Sequence, residues 1–145
     1  MAILTNIIAA EDDEIEAIGE SLHPVDQWSG IEFRDIDTAK IATLHWLLTG
    51  DLFDDALAHY EPVYVSAAEG AVVLRLADDV LERLNEFDEE SLTEVAAELA
   101  ATEEFESEGW DEEDIAAMII ELGGLARLAD SQGQALFVWM HPLRT

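Results

Sequence analysis

The chain contains no cysteine, which excludes disulfide staples and thiolate chemistry and leaves cysteine usage silent on the redox compartment. It is also poor in positive charge: six Lys and Arg stand against 34 Asp and Glu, and Lys40 is the one lysine. A surface so short of cations repels nucleic-acid phosphates and anionic lipid headgroups, so neither direct nucleic-acid binding nor membrane association is expected. Nowhere do about 18 apolar residues follow one another, so no membrane-spanning helix is expected. The segment Met1 to Ile8 has no basic region, and Glu11-Asp12-Asp13-Glu14 ends its apolar run at once, unlike a secretory signal. Cytoplasmic is therefore the expected location.

What remains is an unusual pairing. The formal charge is −28, yet half of the 145 residues are hydrophobic. That apolar fraction suffices for a core, which separates the chain from disordered acidic tails. A single domain spanning residues 1–145 is expected, large enough to fold without metal or disulfide staples.

The chain is organised around the stretch from Asp111 to Met140. Ile115, Met118, Ile119, Leu122, Leu125, Ala126, Leu128 and Ala129 recur at spacings of three and four, predicting a long helix with one continuous apolar face. Asp111-Glu112-Glu113-Asp114 supplies negative charge at its N-terminus, and Ser131-Gln132-Gly133 closes it. The following Ala135 to Met140 is apolar on both alternating faces, which suits a strand inside a sheet; the helix is expected to lie on that sheet.

Upstream, Met1 to Ala9 reads as a strand and Glu11 to Ser21 as a helix with Ile15, Ile18 and Leu22 on one face. His23-Pro24 ends that helix, and Trp28-Ser29-Gly30 continues as loop. Asp35 or Asp37 can cap the next helix, whose stripe is Ile41, Leu44, Leu47 and Leu48 and whose stop is Thr49-Gly50. Phe53 to His59 holds one further helical turn. Pro62 to Val65 and Ala71 to Leu76 read as a hairpin with Glu69-Gly70 in its turn. Helices are expected from Ala77 to Leu84, with Val80, Leu81 and Leu84 inward, and from Ser91, where Ser91 and Glu94 have capping-box spacing. Glu103 to Gly109 reads as an acidic connection containing Phe105. The fold class that follows is α+β: a small, mostly antiparallel sheet packed against several helices, with a long C-terminal helix followed by a final strand.

Asp35-Ile36-Asp37, Leu44-His45-Trp46-Leu47-Leu48-Thr49-Gly50, the passage from Leu74 to Leu84 and the closing helix-Gly133-strand unit together resemble the YfbM-like family of small bacterial proteins of unknown function. The Leu-His-aromatic-x-Leu-Thr-Gly piece is the specific part of this resemblance. It implies an α+β domain with helices against a small sheet, and it brings no established catalytic residues with it.

No motif carries an expected chemistry. His45 is either a general base or ligand, or a helix residue hydrogen-bonded at the edge of the core. His23, His59 and His141 fall in expected loops, without a two-histidine metal spacing. Neither Asp51 to Asp55 nor Asp88 to Ser91 has the glycine and terminal glutamate of a calcium loop. No catalytic residue, metal or cofactor is expected. Trp46 and Trp139 are expected inside; Trp28 and Trp110 lie beside acids, either packing over helix ends or serving as exposed anchors. The densest acidic region runs from Asp78 to Asp114 and includes one base, Arg83. Within it Glu103, Glu104, Glu106, Glu108, Trp110, Asp111, Glu112, Glu113 and Asp114 are the candidate contacts for a basic protein partner. The expected function is a non-catalytic binding module with an inhibitor or immunity-type role. The alternative is that the surface acidity is only solvation or high-salt adaptation and that the protein is an uncharacterised enzyme such as a hydrolase.

Overall fold

A computed structural model describes residues 3–21, 23–67 and 70–141. Its strands are β1 (Leu4–Ala10), β2 (Gly30–Arg34), β3 (Tyr64–Val65), β4 (Val72–Arg75) and β5 (Ala135–His141). The helices are α1 (Ile15–Glu20), α2 (Thr38–Thr49), α3 (Phe53–Ala58), α4 (Asp78–Glu86), α5 (Glu89–Ala100), α6 (Glu103–Glu106) and α7 (Glu112–Gln132). Single 3-10 turns at Asp12–Glu14 and Pro24–Asp26 flank α1. The strands form one sheet in the order β2-β1-β5-β4-β3, every neighbouring pair antiparallel. The chain is thus α+β, and the final strand lies at the sheet's centre, where its two apolar faces are both covered.

Alternation along the strands divides the interior into two cores. On one face Ile7, Ala9, Leu74, Leu136, Val138 and Met140 meet α2, α4, α5 and α7. On the other, Leu4, Ile8, Ala10, Val73, Phe137 and Trp139 are covered by Ile18 of α1 and by Ile15, Val25, Trp28 and Tyr64. The long helix α7 faces both the sheet and the pair α4 and α5, so its stripe from Ile115 to Ala129 is enclosed, with Leu128 at the margin. At Gly123 this packing is close: an added Cβ would lie 2.7 Å from Leu92 Cδ1 of α5. Gly133, at φ +67°, forms the left-handed C-cap of α7.

Several expectations are corrected. Gly30 to Arg34, following what was read as loop, is edge strand β2; Ile31 and Phe33 alternate with exposed neighbours and are only half-buried. The span from Glu11 to Ser21 is a 3-10 turn followed by the short α1. Of the two expected caps it is Asp37 that serves α2, accepting from Lys40 N at 3.0 Å, as one of the alternatives had it. Asp35 itself sits at φ +62°, and its carboxylate accepts from Ile3 N. The α5 cap is Asp88, which accepts from Ser91 N at 2.8 Å; Ser91 is already inside the helix. The acidic connection includes the turn α6, formed because Phe105 drives into the core at 1% exposure. His141 is a buried strand residue and not part of a loop. Met1, Ala2, Leu22 and Glu69 lie outside the described residues.

Candidate functional site

Helix α2 organises the surface that stands out. With Ile41, Leu44 and Leu48 turned inward, Trp46 lies about 200° around the helix from Leu44, because each residue advances roughly 100°. It therefore points away from the core and is 39% exposed, a correction of the expectation that it lies inside. Its indole joins Thr43, Leu47 and Phe53 in one wall of a groove of about 640 Å³. The facing wall is Glu98 from the end of α5, Ala101 and Thr102 from the connection, and Glu103 and Glu104 from α6. The groove is two-sided in chemistry, apolar along α2 and α3 and acidic along α5 and α6. None of the three carboxylates forms an ion pair among the described residues.

A buried cation holds the base beneath α6 together. Lys40 is 2% exposed; its Nζ donates to Glu108 Oε2 at 2.7 Å, lies 3.8 Å from Asp37 Oδ2, and sits 5.9 Å above the Phe105 ring. Phe105 in turn packs edge-on against Trp110, ring centroids 5.5 Å apart. The sequence-expected acidic cluster is therefore divided. Glu103 and Glu104 line the groove, Glu108 is committed to Lys40, and half-buried Trp110 packs on the core. Glu106 is exposed on α6, and Asp111, Glu112, Glu113 and Asp114 are exposed around the start of α7. Trp46, Phe53 and Glu98 were missed by the sequence reading. The register of α2 carried the signal for Trp46, whereas Phe53 and Glu98 reach the groove only through the tertiary arrangement.

His45 forms a separate, closed constellation. It is fully buried, with Nε2 2.7 Å from Asp51 Oδ2 and Nδ1 2.8 Å from the Tyr60 hydroxyl. The carboxylate can only accept, so Nε2 carries a proton, and in the neutral imidazole Nδ1 then accepts from Tyr60. Ala77 N donates in turn to the Tyr60 oxygen at 3.3 Å. The His45 bond holds the Asp51 carboxyl below its ordinary range, and burial pushes the Tyr60 phenol up to about 12. The chain of bonds ties the end of α2 to the α3 terminus and to the start of α4. This is the hydrogen-bonded reading of His45; the residue is not among those lining the groove.

Trp28 packs on the second core and donates its indole N–H to Glu14 at 3.0 Å. Among the described residues, no group of three His, Asp or Glu side chains is placed to hold a metal ion, and no helix is long and apolar enough to cross a membrane.

No protein-family model matches the chain, and a comparison with curated proteins finds no match. Among solved structures, the chain is similar to a protein of unknown function, YfbM from Escherichia coli, at 15% identity and a TM-score of 0.47. The likeness covers 94% of this chain and 99% of that one. This is the group that the sequence resembles.

Proposed function

We propose that the protein is a non-catalytic binding module, acting in the cytoplasm, that engages a basic protein in an inhibitor or immunity-type role. The observation that carries this reading is the groove beside Trp46: an exposed aromatic and an apolar wall set against three carboxylates that form no ion pair among the described residues. Interfaces of this kind place a desolvated apolar anchor inside a polar rim, and the rim's charge selects the partner's sign. Glu106, Asp111, Glu112, Glu113 and Asp114 extend the negative surface beyond the groove, where they accelerate encounter more than they hold the complex. Glu108 and Trp110 support the surface from beneath.

The test is a pull-down from nuclease-treated host lysate near physiological salt, run in parallel with wild type and a Glu103→Lys/Glu104→Lys variant. The expected result is one basic protein held near stoichiometrically by wild type, released by salt and lost from the variant. Equal retention by both, or a diffuse set of basic proteins, would return the acids to a solvating role.

A further inference from the structure

We propose that the element of the basic partner that enters the groove is an amphipathic helix, with one apolar stripe and Lys or Arg along one flank. This deepens the reading above and rests on it. The groove's two walls differ in chemistry: Trp46, Leu47 and Phe53 on one side, Glu98, Glu103 and Glu104 on the other. A helix displays side chains in longitudinal stripes, so one apolar and one basic stripe can face both walls along its whole length. An extended peptide, whose side chains alternate between opposite faces, could also send one set to each facing wall, so the choice between the two falls to the backbone.

The backbone around the groove makes that selection. Ala101 N donates to Glu98 O and Thr102 N to Leu99 O, which leaves along this wall the first-turn amides of Glu103 and Glu104, two adjacent donors that cannot form a strand ladder. No residue of the sheet lines the groove, and its edge strands β2 and β3 offer no ladder there. An extended segment would lay unpaired amides and carbonyls on an apolar wall, which is costly; a helix brings its own hydrogen bonds and presents side chains alone.

The experiment measures fluorescence anisotropy of two labelled Leu/Lys peptides of identical composition, one patterned with helical period and one strictly alternating, titrated with the full chain at about physiological salt. The helical peptide should bind at least about tenfold tighter. Trp46→Gln should weaken it about tenfold, and Glu98→Lys/Glu103→Lys/Glu104→Lys should abolish it. The distant triple Asp13→Lys/Glu16→Lys/Asp26→Lys, exposed acids around α1 on the other face of the sheet, should change it less than about threefold, with circular dichroism confirming that each variant folds. Equal binding of the two peptides, with the groove triple still far more damaging than the distant one, would overturn the helix and leave the basic-partner reading standing. Equal damage from both triples would overturn both, since charge alone would then be responsible.

Discussion

Lys40 and Glu108 are unequal members of their pair, and the inequality can be measured. The ammonium is almost fully buried, whereas the carboxylate is 44% exposed and keeps part of its hydration. Removing Glu108 leaves a buried cation with Asp37 as its nearest remaining carboxylate; removing Lys40 leaves an acid that water can reach. Glu108→Gln should therefore destabilise by about 2 kcal/mol, and Lys40→Met by less than half of that, in urea unfolding. Tyr60→Phe deletes one hydroxyl but strands the buried His45 Nδ1 and leaves the half-buried Ala77 N–H without its acceptor, and should cost about 1–3 kcal/mol by the same measurement. His23 behaves differently because it gains charge partners on folding. Hydrogen bonds to Glu32 and then Asp26 raise its pKa above the ordinary 6.5. The folded state holds that proton more tightly, so the stabilisation is complete below pH 6.5 and fades as pH rises through the raised folded value. The excess stability of wild type over His23→Gln, about 0.5 kcal/mol for so exposed a group, should shrink upward across that window.

Among the elements, α5 gives the sharpest contrast between pattern and geometry. Ser91 and Glu94 have capping-box spacing, but Asp88 accepts the bond from Ser91 N and begins the helix earlier. Asp88→Ala should then lower the melting temperature by more than Ser91→Ala does in parallel thermal melts. The long helix and the strand after it were readable because burial imposes a period on their residues: three-and-four spacing in α7, apolarity on both faces in β5. β2 escaped because an edge strand needs only two half-buried side chains, Ile31 and Phe33, too few to make a pattern. The groove was legible in part. Glu103 and Glu104 announced themselves by charge, and Trp46 could be placed by counting around α2 from Leu44. That Phe53 and Glu98 would face each other across it depended on how α3 and α5 dock on α2, which no local spacing encodes.

At the scale of the whole molecule, repulsion among 34 acids opposes compaction. Raising salt from about 0.1 M to about 1 M shortens the screening length from about 10 Å to about 3 Å. Calorimetry should record a rise in Tm of roughly 6–10 °C, equivalent to about 2 kcal/mol; a flat profile would mean that self-repulsion is not what limits stability. The sheet order carries a different kind of consequence, one for biosynthesis. β5 sits between β1 and β4, yet it is the last of the described elements to be made. Until it leaves the ribosome, no ladder of backbone hydrogen bonds joins the pair β1 with β2 to the pair β3 with β4, and the apolar face of α7 has no completed sheet to cover it. Domains closed by such long-range pairing fold slowly and late. The nascent chain must therefore wait for its final strand, kept apart from its neighbours on the polysome by the same negative charge that resists its collapse.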